Sequence, residues 1–136
     1  MDQEARQELL RGLCSLLPFG VICWTPSGNG RLNSIDQTIF MVEYGINISA
    51  TKREYFKGYE DGDILVKPYL RPMSSMTEDE KLDYIALGDI KRYTNPQYAY
   101  LISEQLDYLN AHHFDYRGLI PMGLALEAPE GMYENF

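Results

Sequence analysis

The chain has 136 residues, 45% apolar and 24% charged, which is the make-up of an ordinary globular domain and excludes a disordered chain. Its net charge of −8 argues against nucleic acid as a partner, because phosphate binding is driven by Lys and Arg replacing counterions. No apolar run approaches the ~18 residues that a bilayer span needs, and the start MDQEARQELL is polar, so neither a signal peptide nor membrane contact is expected.

Residues 4–17 carry Leu9, Leu10, Leu13, Leu16 and Leu17 at amphipathic helical spacing, and Pro18 and Gly20 stop that helix. Cys14 on the helix and Cys23 beyond it match no metal spacing and read as reduced thiols of a cytoplasmic protein. GVICWTP (20–26) is a β-branched and aromatic run that predicts a buried strand. SGNG (27–30) predicts a hairpin turn, since Gly and Asn accept positive φ. A phosphate loop would need a following helix and a Lys-Ser/Thr pair. Strands are expected at 31–35 and 38–44, then one short strand near 54–56 within the mixed stretch 45–63. DILVKPYL (63–70) predicts a late strand whose Pro68 places its end at a sheet edge.

The second half changes character. Thr77-x-x-Glu80 has capping-box spacing, and Glu78, Asp79 and Glu80 suit the positive end of a helix dipole, so this acidic triplet reads as a helix start and not as a metal site. Asn95-Pro96 opens a second helix, with Tyr98, Leu101, Ile102, Leu106 and Leu109 marking its apolar face up to Ala111. Charge is uneven: residues 1–73 hold nine acids against eight bases, and residues 74–136 hold eleven against four. Lys52, Arg53, Lys57, Lys67 and Arg71 form a basic cluster that reads as solvated surface. The expected fold is one α+β domain over 1–136: an N-terminal helix, a small antiparallel sheet of three to five strands, two C-terminal helices and an irregular tail.

LVKPYLRPMSSMTEDEK (65–81) and LNAHHFDYRGLIPMGLALEAPEGMY (109–133) resemble, nearly verbatim, the signature blocks of a family of small uncharacterised proteins encoded in gut anaerobic bacteria, often within prophages and other mobile elements. LLPFGV (16–21) resembles that family's N-terminal helix-to-strand junction. The resemblance implies a cytosolic bacterial or phage protein of one compact α+β domain. It brings no catalytic residue to carry over.

Both histidines, His112 and His113, stand side by side, with Asp115, Tyr116 and Arg117 close behind. If the chain is an enzyme, a small hydrolase or nuclease, then His112, His113, Asp115 and Arg117 are its candidate catalytic residues. Against that, neighbouring histidines diverge on a helix, no HxxxH or HExxH is present, and no nucleophile motif appears, so no metal and no cofactor are expected. The simpler reading is structural. HHFD lies just past a helix end, where His bonds the last carbonyls, Phe114 is a buried anchor, Asp115 caps the turn at 116–120, and Arg117 pairs Asp115 or an acid of the 78–83 helix.

Eleven Tyr against five Phe and one Trp is Tyr-rich usage, and Tyr suits interfaces because it joins apolar area to a polar tip. Tyr84, Tyr93, Tyr100 and Tyr108 are therefore the candidate interaction surface. The expected function is a non-catalytic accessory or regulatory protein-interaction domain of a bacterial mobile element or phage, with a protein partner or a second copy. An acidic mimic of nucleic acid ranks last, because helix amphipathicity already explains most of the carboxylates.

Overall fold

The computed structural model describes residues 3–36, 39–47, 50–57, 59–60, 63–87 and 99–133. Helix α1 (Gln3–Leu16) buries Leu9, Leu13 and Leu16, an i, i+4, i+7 stripe, and runs into a 3-10 turn (Leu17–Phe19) closed by Gly20 at φ 68°. Each buried Leu removes apolar surface worth roughly 2 kcal/mol. Four strands then meander: β1 (Ile22–Thr25), β2 (Gly28–Asp36), β3 (Ile39–Asn47) and β4 (Ala50–Lys57), each antiparallel to the one before. The pair β5 (Tyr59–Glu60) and β6 (Asp63–Ile64) forms a separate ribbon. Strand β7 (Lys67–Leu70) returns beside β1, and β8 (Leu126–Glu127) from the C-terminal tail lies parallel to β7. Between them come α2 (Glu78–Leu87) and α3 (Ala99–Ala111).

The class is α+β, with an N-terminal helix and two later helices, but the sheet is larger than three to five antiparallel strands. Among the described residues it holds six, in the order β4-β3-β2-β1-β7-β8, and β8 makes it mixed. Two stretches account for the difference. Strand β4 extends over eight residues where only 54–56 looked extended, because charges dominate its pattern and the β3 ladder, from Ile39↔Lys57 to Asn47↔Ala50, supplies its order. Strand β8 has two residues, too few to carry a period.

The hairpin turn also sits elsewhere. Pro26 and Ser27 make it, and the glycines of SGNG lie within β2. Gly30 is required there for space: a Cβ would stand 2.6 Å from Val42 Cγ1 and 2.8 Å from Tyr44 Cδ1. Strand β7 lies between β1 and β8 and so is not an edge strand over its whole length, but at Pro68 its β8 side is open. Pro68 is tolerated because β8 pairs only with Tyr69 and Leu70, leaving Pro68 out of that ladder. The predicted start of the last helix at Asn95-Pro96, with Tyr98, lies outside the described residues.

Strand alternation divides the sheet into two faces. Cys23, Leu32, Phe40, Val42 and Leu70 point to the core, where the α1 leucines meet Leu119 and Leu124 of the tail. Trp24, Arg31, Met41, Tyr55 and Lys67 point the other way. Among the described residues no helix is long and apolar enough to cross a membrane.

Candidate functional site

The residues richest in chemical potential converge where α3 ends. The chain leaves that helix through a six-to-one and five-to-two pair of backbone bonds: Phe114 N donates to Leu109 O (2.9 Å) and His113 N to Asn110 O (3.0 Å). This closure needs a left-handed residue, commonly Gly, and His113 takes the position at φ 61°. A non-Gly residue there carries backbone strain of about 1 kcal/mol, which the His113 side chain must offset. Its Nε2 lies 2.8 Å from the Phe19 carbonyl, and its ring stacks on Tyr133 at 3.7 Å and 11°. A carbonyl only accepts, so the proton is on Nε2. Burial lowers the His113 pKa and keeps the ring neutral, the bond to Phe19 opposing that shift.

His112 is fixed by the same logic. Its Nδ1 is 3.0 Å from the Tyr108 carbonyl and must carry the proton, and its ring stacks on Tyr108 at 4.1 Å. Asp115 spends both oxygens on backbone: Oδ1 accepts from Leu119 N (2.8 Å) and Oδ2 from Ile120 N (2.9 Å). It caps a run of turns at 116–120, where no helix forms. Phe114 is the buried anchor that its apolarity predicted, 1% exposed.

Arg71 is the centre of the arrangement. It is 1% exposed, and its guanidinium grips Glu80 with two bonds, Nη1 to Oε2 at 2.7 Å and Nη2 to Oε1 at 2.8 Å. Nη2 also donates to Ser75 O at 3.1 Å, and the guanidinium lies over the Phe114 ring at 4.2 Å. The backbone of Arg71 clamps the junction from both sides, its N–H donating to His113 O (2.7 Å) and its carbonyl accepting from Asp115 N (2.8 Å). The predicted capping box forms around the same carboxylate: Thr77 N donates to Glu80 Oε1 (2.9 Å) and Glu80 N to Thr77 Oγ1 (3.2 Å). The Arg71 guanidinium, with the Thr77 N–H helping, holds the Glu80 carboxyl down at about 2 against the desolvation that opposes it. One carboxylate thus starts α2 and ties it to the sheet.

Arg117 does not pair Asp115 or α2. It reaches α1 and meets Glu8 at 3.2 Å. The basic cluster divides: Arg71 is buried and Lys52 lies on the other face of β4, paired with Glu54 at 2.8 Å, while Arg53, Lys57 and Lys67 lie on the outer face of the sheet, Arg53 pairing Glu43 at 3.9 Å and Lys67 standing 6.0 Å over Trp24. Burial pushes the Cys23 thiol far up and leaves it unreactive. A crevice beside Asn110, Tyr116 and Arg117 has room for about one water, not for an organic substrate. Among the described residues no three His, Cys, Asp or Glu side chains come together as a metal site would require.

Of the tyrosines, Tyr84 and Tyr108 are half-buried and face each other at 6.4 Å, which joins α2 to α3. Tyr93 and the side chain of Tyr100 lie outside the described residues. Two participants had no flag in the sequence. Tyr133 accepts from Ile22 N (2.9 Å) and donates to Tyr69 O (2.8 Å), wedging its hydroxyl between β1 and β7 just beyond their Cys23↔Pro68 pair. The other is the outer face of α2. Leu82 and Ile85 are 65% and 63% exposed, and of the ten residues of this helix only Glu80 is buried.

Comparison of the chain with models of known families, with curated proteins and with solved structures returned no match.

Proposed function

We propose that this protein is a non-catalytic interaction domain, an accessory or regulatory component of a bacterial mobile element or phage, and that the outer face of α2 is its contact surface. The observation that carries the reading is the exposure of Leu82 and Ile85. They stand at i and i+3 on one side of a ten-residue helix, where an isolated globular domain places its polar residues. A helix this short does not hold itself in water. α2 is instead held by its capping box, by the Arg71–Glu80 pair and by the Tyr84–Tyr108 contact, none of which uses Leu82 or Ile85.

The surroundings describe the partner. Glu78, Asp79 and Asp83 are exposed beside the two aliphatic side chains, and Lys81, the one base within α2, is engaged by Glu78 at 3.3 Å. A surface of matching shape offers an apolar centre and a basic rim. The mobile-element context rests on the two sequence blocks at 65–81 and 109–133, the first of which contains Arg71 and the start of α2. The hydrolase reading gains little from the geometry: Asp115 would have to release two backbone N–H groups to act, and the bonds of His112 Nδ1 and His113 Nε2 to backbone carbonyls hold the two rings in the fold.

The test is affinity isolation from the native host, comparing wild type with Leu82→Asp/Ile85→Asp. A partner recovered with wild type and lost with the variant supports the reading. Equal recovery by both moves the contact elsewhere, and a His112→Ala/His113→Gly variant that abolishes a measured hydrolysis restores the enzymatic alternative.

A further inference from the structure

The face of the sheet turned away from the core has a character opposite to that of α2. Along β3 and β4 the ladder pairs Ile39 with Lys57, Met41 with Tyr55, and Glu43 with Arg53, all on that outer face. Tyr55 is 70% exposed and Ile39 44%. Arg31 on β2 and Lys67 on β7 share the face. On β2 to β4, Arg31, Arg53 and Lys57 stand against two acids, Asp36 and Glu43, three bases to two acids where the whole chain has 12 to 20, and Lys67 adds a base farther along on β7. Among the described residues no helix is seen to pack on Tyr55 or Ile39. The molecule therefore carries an apolar patch with a basic rim and an apolar patch with an acidic rim.

We infer that the acidic face of α2 in one copy binds the basic outer sheet face of a second copy, so that copies join head to tail through Leu82 and Ile85 against Ile39 and Tyr55. The inference rests on the interaction reading of α2 and names its partner. The two patches stand apart within one molecule: the Arg71–Glu80 pair ties the start of α2 to the end of β7, and β3 and β4 lie three and four strand spacings from β7, about 14 and 19 Å at ~4.8 Å per strand. A symmetric contact of α2 with α2 sets acids against acids, and sheet with sheet sets bases against bases, each of which costs free energy. Only the unlike pairing brings Asp79 and Asp83 near Arg53 and Lys57 while covering aliphatic and aromatic side chains from both sides. Such a contact is heterologous and does not close on itself, so association grows with concentration and ends at no fixed size unless the rotation forms a ring. Single-stranded nucleic acid, the other occupant that an aromatic and basic sheet face suggests, would leave Leu82 and Ile85 uncovered, and the experiment below separates it from a second copy.

The decisive experiment uses two variants of the full chain in sedimentation velocity across rising concentration. Leu82→Asp/Ile85→Asp disables the helix face, and Arg53→Glu/Lys57→Glu disables the sheet face. Wild type sediments faster as concentration rises, and each variant alone stays monomeric, its association weakened by at least about tenfold. An equimolar mixture of the two variants forms a one-to-one dimer and nothing larger, because each keeps one intact face. That recovery also shows both variants folded. A wild type that stays monomeric at every concentration overturns the inference, as does a mixture that fails to associate. Wild type that stays monomeric yet binds a labelled oligodeoxythymidine, with binding lost in Arg53→Glu/Lys57→Glu, assigns the sheet face to nucleic acid instead. If wild type is monomeric but the α2 variant still loses a host protein, the interaction reading stands and only the second copy is eliminated.

Discussion

The junction after α3 and the outer face of α2 are neighbours with opposite properties. The junction gathers two histidines, Asp115, Arg71 and Tyr133, side chains with the chemistry of an active site, and ties each into the fold by at least one bond to backbone or to Glu80. The face of α2 offers two aliphatic side chains and a few carboxylates, with no chemistry beyond contact, and leaves them in solvent. Residue type therefore misleads about where this protein meets other molecules. What matters is whether a side chain has anything left to offer once the fold has used it.

If the junction is structural, disturbing it should cost stability in proportion to how completely each group is engaged. Arg71→Met is the most severe case, because it leaves the Glu80 carboxylate buried beside Thr77 without its counter-charge. A loss of about 3–5 kcal/mol is expected from urea denaturation, largely recovered in Arg71→Met/Glu80→Leu, where neither charge remains. Acid attacks the same pair. The folded Glu80 carboxyl sits at about 2 and the unfolded one at 4.5, so its stabilisation is complete above about pH 5 and is lost as pH falls towards 2. That difference corresponds to about 3 kcal/mol. Glu80→Gln should flatten this limb of the stability–pH curve. A variant as acid-sensitive as wild type would show that other carboxylates carry the effect. Asp115→Ala releases the Leu119 and Ile120 N–H groups and should cost about 1–2 kcal/mol.

The contrast between the regions was only half legible in the sequence. The capping box, the buried Phe114 and the role of Asp115 could be read because each rests on spacing within a few residues. The partner of Arg71 could not, although it lies only nine positions away. Nothing local distinguishes an arginine that will be buried from one that will be solvated, and its burial depends on Phe114 arriving from a segment 43 residues later. Tyr133 is the same problem at greater range, since it acts 111 residues from Ile22. The sheet was underestimated for a different reason. Residues 50–57 put charge on both faces of the strand, Lys52, Arg53 and Glu54 in a row and Lys57 at the end, so hydrophobic period carries no signal there, and β4 is ordered by the β3 ladder. The exposure of Leu82 and Ile85 was hidden by the usual assumption that aliphatic residues on a helix face the core.

His113 sharpens the comparison at about 1 kcal/mol. Its ring bonds Phe19 and stacks on Tyr133, while its backbone occupies a conformation that favours Gly. His113→Ala loses the ring and keeps the strain, whereas His113→Gly loses the ring and relieves it. Gly should therefore be the more stable of the two by about 1 kcal/mol, although both fall below wild type. Equal stability of the two variants would mean that the left-handed turn relaxes once the ring is gone.

The smallest effect belongs to the other region, and its smallness is the point. Leu82→Asp/Ile85→Asp replaces two large aliphatic side chains, a change that would unfold a domain if they belonged to its core. Here both are more than 60% exposed, and the supports of α2 run through Glu80, Thr77 and Tyr84. Thermal unfolding of the monomer should shift by no more than about 0.5 kcal/mol, the range of ordinary surface substitutions. The new carboxylates add like charge to Glu78, Asp79 and Asp83, so a small loss is expected, larger at low salt than at high salt. A loss of several kcal/mol would show instead that these side chains are covered within the free molecule, and α2 would then be part of the core and not a surface held out for contact.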